Sequence, residues 1–431
     1  MSTPADGGAL SEAFLDRVDG DLAETDAFLD RAYPGEGGRR QPVHTVYVPA
    51  DTYSLDLPRR WGAAALSLVE EHGGMAAVCS ELGLTAELTA QIAPRVAAKL
   101  QSDPIEDLRL DFEDGYGDRG DEVEDADALR AGAAVAEAVA TGVAPAFVGI
   151  RFKCFEAPTR RRGIRTLDLC LASLLEQGAR PPGLVLTFPK VSTVSQVEAM
   201  VEVARALEDA HGLEARSLGF EIQVETPQLI LGADGRIPVA AALHAGDGRV
   251  TSLHYGTYDY SASLQIAAAY QASDHPAADQ AKQLMQLAVA GTGVHLSDGS
   301  TNVLPVGEPE QVRAAWRLHA GLVRRALQRG FYQGWDLHPG QLPTRFIATF
   351  AFYREGFPRA AGRLSNYVSN TGSEILDEPA TARALARYLY CGYSCGAVTE
   401  AELLGAARLD PSQLEALARP HSDTETLRTH P

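Results

Sequence analysis

Cysteine is scarce here: five in 431 residues, at 79, 154, 170, 391 and 395. An odd, scattered set does not make a disulfide framework. Cys391-x3-Cys395 has no nearby histidine or second cysteine pair, so it reads as buried thiols rather than zinc ligands. That usage fits a reducing compartment, and a cytoplasmic location is the expectation. Positive charge is also short. There are 38 Lys and Arg against 57 Asp and Glu, a net charge of −19. A nucleic-acid binder needs a basic footprint, so no nucleic acid is expected as a partner. No apolar run approaches the ~18 residues of a membrane span, so no membrane partner is expected. The N-terminus is rich in Ser and Asp and lacks the basic-plus-apolar start of a signal peptide. There is no internal repeat, no low-complexity tract, and no Gly-rich dinucleotide loop after the first strand-like run.

What is present is a chain 45% hydrophobic, enough for a large core and one to three domains. Leu10 to Ala32 shows a helical pattern. Eight strand-like runs then alternate with helical ones. The strands are expected at His44–Pro49, Leu108–Asp114, Phe147–Lys153, Gly183–Lys190, Gly219–Glu225, Val250–Gly256, Val294–Leu296 and Tyr332–Pro339. Residues 57–101 read as Ala- and Leu-rich helix between the first two strands. Helices are expected near 124–142, 166–177, 193–210, 237–245, 277–291 and 308–329. Eight βα units indicate an α/β protein with a (β/α)8 TIM barrel rather than an open doubly wound sheet. The expected organisation is an N-terminal extension (1–42), the barrel (43–345) and a C-terminal helical segment (346–431).

In such a barrel, catalytic groups come from the C-terminal ends of several strands. Here those ends read Asp111/Glu113/Asp114, Arg151/Lys153, Lys190, Glu225, Asp259 and His338. Glu225 alone would read as a solvated strand-end carboxylate. Beside Asp259 from the next unit it becomes half of an oxygen-ligand pair suited to Mg²⁺. Arg151 can grip a substrate carboxylate through its fork. A cation chelating a 2-oxo acid would polarise its carbonyl and stabilise an enolate. The expectation is therefore carbon–carbon bond chemistry beside a carbonyl. Residues 103–127 carry twelve Asp or Glu and only Arg109 and Arg119. Most of that run reads as a solvated acidic loop, with at least one of Glu113 and Asp114 functional.

The chain resembles the citrate lyase β-subunit-like branch of the pyruvate/phosphoenolpyruvate barrel superfamily, which also includes the HpcH/HpaI-type aldolases. The resemblance lies in ordered motifs: Val46-Tyr47-Val48-Pro49, Leu110-Asp111-Phe112-Glu113-Asp114, Ile150-Arg151-Phe152, Phe188-Pro189-Lys190-Val191, Val224-Glu225-Thr226, Gly256-Thr257-Tyr258-Asp259-Tyr260-Ser261, Leu337-His338-Pro339-Gly340-Gln341 and Ile375-Leu376-Asp377-Glu378-Pro379. It covers about residues 43–395. Lys153 stands where the family motif usually has Asn, and residues 50–107 are longer than in typical members.

The resemblance implies a Mg²⁺-dependent lyase or aldolase acting through an enolate on a 2-oxo or 3-hydroxy acid. Glu225 and Asp259 would bind the metal, Arg151 would hold the oxo-acid carboxylate, and Glu113 and Asp114 would hold metal-bound water or orient Arg151. Asp377 matches a base that some members use on an acyl-CoA methyl group; its other reading is an N-cap for the following helix. The family is generally oligomeric, often trimeric, which implies a homo-oligomer. Lys190 reads equally as a ligand contact or a rim salt bridge. Arg161 and Arg162, in the run Thr159–Thr166, could meet a CoA thioester or a phosphate. Otherwise that run is a solvated loop pairing with the acidic 118–127 segment. Three alternatives stay open: malate-synthase-like condensation of an acyl-CoA, a phosphoenolpyruvate-type phosphoryl enzyme, and a non-catalytic metabolite-binding subunit.

Overall fold

In the computed structural model, residues 10–35, 38–176, 178–179, 181, 183–369 and 378–419 are described. Helix α1 (Glu12–Ala32) leads, and none of its residues is buried. The strands are β1 (His44–Pro49), β2 (Asp107–Asp111), β3 (Phe147–Arg151), β4 (Leu184–Phe188), β5 (Gly219–Val224), β6 (Val250–Tyr255), β7 (His295–Ser297) and β8 (Gly334–Asp336). Between β1 and β2 lie α2 (Leu57–Glu71), α3 (Met75–Glu81) and α4 (Ala86–Ser102). The other connections carry α5 (Asp121–Ala140), α6 (Arg160–Glu176), α7 (Val194–His211), α8 (Pro227–Ile230), α9 (Pro238–Ala245), α10 (Thr257–Ser263), α11 (Pro276–Val289) and α12 (Pro309–Gln328). After β8 come α13 (Leu342–Val368), α14 (Pro379–Ser394), α15 (Glu400–Ala406) and α16 (Pro411–Ala418). Among the described residues no helix is long and apolar enough to cross a membrane.

The eight strands pair in parallel in the order β7-β6-β5-β4-β3-β2-β1-β8. A parallel bridge between Ser297 and Gln333 brings the two ends together. The expected (β/α)8 barrel is therefore present and nearly closed. Apolar strand residues such as Val46, Leu108, Leu110, Ile150, Leu186, Phe220 and Ile222 pack outward in one buried cluster with the surrounding helices. The interior is polar instead. Tyr47, Arg109, Thr187, Glu221 and His254 are all buried and joined to one another there. Gly149 permits the tight strand spacing at this level, since a Cβ there would lie 1.7 Å from the Val185 carbonyl oxygen.

Three expectations are corrected. The strand runs read as far as Asp114, Lys153, Lys190 and Gly256 stop earlier. The first and third break where side chains take over the backbone. Asp111 accepts from the Glu113 N–H at 3.0 Å, and Glu225 accepts from the Lys190 N–H at 2.7 Å. The 57–101 helical stretch is three helices, broken at Gly73–Gly74 and at Gly83, all with φ near +90° or +80°. Such backbone suits glycine because it has no Cβ. The basic run is not a loop, because α6 already starts at Arg160.

A second buried cluster joins α2–α4 to α12–α16. Val69, Ile92, Val96 and Leu100 meet Trp316, Phe346, Phe350, Leu389 and Leu414. The long insertion and the C-terminal helices thus form one body beside the barrel. α13 runs unbroken past residue 345. Truncating Phe346, which is fully buried, would cost about 3–5 kcal/mol.

Candidate active site

The C-terminal ends of β2, β3, β4, β5 and β6 deliver charged groups to one mouth of the barrel. Asp111 ends β2. Its carboxylate accepts from the N–H of Glu113 at 3.0 Å and of Gly115 at 2.9 Å. Those bonds fold the following turn back over the strand. The same carboxylate takes a two-pronged bond from Arg151 at the end of β3, both arms at 2.7 Å. Arg151 is 3% exposed and lies against the rings of Tyr47 (4.7 Å) and Trp335 (5.4 Å). Its outer nitrogen, Nη1, is 3.6 Å from Glu113. The guanidinium is thus locked in orientation with one edge uncommitted to Asp111. Lys153 braces the same turn, donating to the carbonyls of Phe112 (2.7 Å) and Gly117 (3.0 Å).

Lys190 follows β4 with φ 50°, a left-handed conformation that is uncommon outside glycine and is often found at functional sites. Its N–H is held by Glu225. Its ammonium bonds Glu113, bonds both oxygens of Asp114 at 2.7 and 2.9 Å, and lies 3.8 Å from Asp259. Glu225 directly follows β5 and is 2% exposed. It packs on Gly256, where a Cβ would sit 2.5 Å from the Glu225 Cβ. Asp259 lies in the first turn of α10. The four carboxylates of Glu113, Asp114, Glu225 and Asp259 therefore converge, and Lys190 is the cation among them.

Their electrostatics follow from crowding and burial. Glu225 is pushed up to about 8 by burial and then by the charges of Glu113 and Asp259. Glu113 rises to about 7, through burial and then Asp114. Asp259 is raised by burial and by contact with Asp114. Burial opposes ionisation of Asp114 as well, but hydrogen bonds from the Glu113 and Lys190 side hold it below the usual carboxylate range. One lysine does not neutralise this group. Hard oxygen donors with excess negative charge fit a divalent cation such as Mg²⁺. Among the described residues, no set of three or more His, Cys, Asp or Glu is arranged as a metal cluster.

The expected site residues separate into two groups. Glu113, Asp114, Arg151, Lys190, Glu225 and Asp259 come together at the mouth. Arg162 is instead held on the flank by Glu124 and Asp125 of α5, and Arg165 joins Asp125 at 2.6 Å. Arg161 is exposed. The pairing with the acidic segment accounts for Arg162 and Arg165. Asp377 lies outside the described residues. His338 accepts from the Gly340 N–H at 3.0 Å, a local cap. Sequence reasoning missed the partners of Arg151. Asp111, not Glu113 or Asp114, is its main anchor, and Tyr47 and Trp335 flank it. Tyr47 had a visible signal, since it alternates with Val46 and Val48 and so faces inward.

A family model described as Domain of unknown function (DUF6986) matches residues 22–422. The chain belongs to the DUF6986 family. No curated protein matches this DUF6986 chain. Among solved structures, a citrate lyase from Burkholderia xenovorans LB400 is similar, with TM-score 0.55 and 18% identity over 86% of this chain and 97% of that one. A Haloferax volcanii malate synthase, native at 3 mM glyoxylate, has TM-score 0.47 and 14% identity over 91% and 99%. The citrate lyase β subunit from M. tuberculosis, complexed with oxaloacetate and magnesium, has TM-score 0.41 and 15% identity over 74% and 99%. What the DUF6986 chain shares with the first of these is its fold.

Proposed function

We propose that this chain is a Mg²⁺-dependent carbon–carbon lyase or aldolase acting on a 2-oxo or 3-hydroxy acid. The observation that carries the reading is the convergence of Glu113, Asp114 and Asp259 on the Lys190 ammonium, with Glu225 on the Lys190 backbone N–H, beside an Arg151 already locked by Asp111. Glu225 and Asp259 would hold the metal. A bound divalent cation would supply Lewis acidity toward the substrate carbonyl oxygen. Arg151 binds the substrate carboxylate through the guanidinium edge that Asp111 leaves open. Tyr47 and Trp335 keep that guanidinium from swinging, so the carboxylate is oriented as well as held. Glu113 is the proton carrier. With a pKa of about 7 it can take a hydroxyl proton in cleavage and return it in condensation near neutral pH. Lys190 balances the charge of Glu113 and Asp114 when they are ionised.

The test is exchange of pyruvate methyl protons with deuterated water, followed by proton NMR with and without Mg²⁺. Exchange that needs Mg²⁺ and disappears in Glu225→Gln supports the reading. An absence of exchange across a panel of 2-oxo acids would favour a metabolite-binding role without turnover.

A further inference from the structure

At the opposite end of the barrel, the N-terminal ends of the strands surround a cavity of about 260 Å³. Arg39 and Arg40, from the segment before β1, line it together with Arg249 and Thr251 at the start of β6 and His295 at the start of β7. Three buried atoms of this wall lack a hydrogen-bond partner: Nε of Arg40, Nε of Arg249 and Oγ1 of Thr251. The rest of Arg249 is committed, with Nη1 and Nη2 bonded to Glu208 at 2.6 and 2.8 Å. Arg40 pairs with Glu106 at 3.1 Å. The carboxylates on the wall, Asp107 and Glu221, are both engaged by Arg109. Arg39 differs from its neighbours. It is exposed, donates once to the Gly293 carbonyl at 3.3 Å, and meets no carboxylate among the described residues.

A buried donor left unpaired loses its hydration without a replacement bond. Three potential donors on one wall, next to an uncommitted guanidinium, call for an acceptor-rich partner. They come from two segments, Arg40 from the chain before β1 and Arg249 with Thr251 from the start of β6, and so approach from two sides. A tetrahedral oxyanion offers acceptors on several sides at once, whereas a planar carboxylate suits a single fork. The setting is selective too, because the rest of the chain is strongly acidic and repels anions elsewhere. We propose that this N-terminal mouth binds a phosphate-bearing small anion, with Arg39 as its charged contact and Arg40, Arg249 and Thr251 as supporting donors.

Calorimetric titration of the metal-free full chain with inorganic phosphate and pyrophosphate, at constant ionic strength, tests this. Tricarballylate serves as the carboxylate comparator. The expected result is saturable phosphate or pyrophosphate binding, weakened about tenfold or more in Arg39→Ala and several-fold in Thr251→Val, which loses only a hydroxyl. Equal affinity for tricarballylate would overturn the assignment to phosphate. No saturable binding below about 10 mM, or binding unchanged in both variants, would overturn the site and leave the wall to ordered water. The titration needs neither Mg²⁺ nor turnover, so its outcome is independent of proton exchange at the other mouth.

Discussion

The two ends of the barrel interior handle charge in opposite ways. Below, Arg109 is enclosed by Asp107 and Glu221, with Thr187 completing its hydrogen bonds. Glu221 is held down to about 2 because Arg109 and His254 outweigh the burial that opposes its ionisation. Above, Glu113, Asp114 and Asp259 share the Lys190 ammonium while Glu225 takes its backbone N–H, and burial and mutual repulsion push Glu225 up to about 8. In the lower network both carboxylates are paired with Arg109. The upper one has more carboxylates than cations, and burial and crowding raise Glu225, Glu113 and Asp259. Position in a strand register, rather than residue type, separates the two: Glu221 and Glu225 lie on the same stretch, four residues apart.

The comparison breaks most sharply on the upper side. Glu225→Gln and Asp259→Asn should each lower Mg²⁺-dependent proton exchange on the order of 10³-fold. Unequal losses would weaken their assignment as a pair. On the lower side, Arg109→Met should cost about 3–5 kcal/mol in denaturant unfolding, because it strands buried carboxylates. Its surviving folded fraction should keep the wild-type Mg²⁺ dependence. If that dependence is lost, the two networks are not separable.

The pH response gives a third test. A carboxyl raised from 4.5 to about 8 binds more protons folded than unfolded at intermediate pH. Its penalty is therefore absent below pH 4.5, grows as pH rises and is complete above about 8. Glu113 adds the same sign up to about 7. Metal-free wild type should lose stability relative to Glu225→Gln across that window, by about 5 kcal/mol at most, and saturating Mg²⁺ should remove the loss. A flat difference in chemical denaturation between pH 5 and 8 would contradict the electrostatic account. The smallest effects belong to the flank. Arg162→Ala should cost about 1 kcal/mol and Arg161→Ala less than about 0.5 kcal/mol. Neither should weaken binding of a 2-oxo acid or CoA in titrations.

Much of the fold was legible because each strand carries alternating β-formers and a stop. His44–Pro49 matches its expected limits, and the strand expected to carry Glu225 stops one residue short of it, at Val224. The insertion at 57–101 is helical as expected, while its division into three helices rests on short glycine breaks that Ala- and Leu-rich composition hides. The basic run Thr159–Thr166 left two readings open, a ligand contact or a pairing with the acidic 118–127 segment, and Arg162 and Arg165 take the second. Clustered arginines look the same whether they face a ligand or a neighbouring helix, and Asp125 on α5 is what distinguishes them. At the site, residue identity was readable and partnership was not.

By itself the sequence determined the alternation of strands and helices, and with it which side chains stand at the C-terminal strand ends. The period of the backbone settles both. Tertiary structure alone decided that Arg151 is anchored by Asp111, 40 positions away, that Lys190 turns into a left-handed conformation to face Glu113 and Asp114, and that Glu221 is neutralised while Glu225 is not. Those outcomes depend on burial and on which charges approach across strands. Neither is a property of any one stretch of chain.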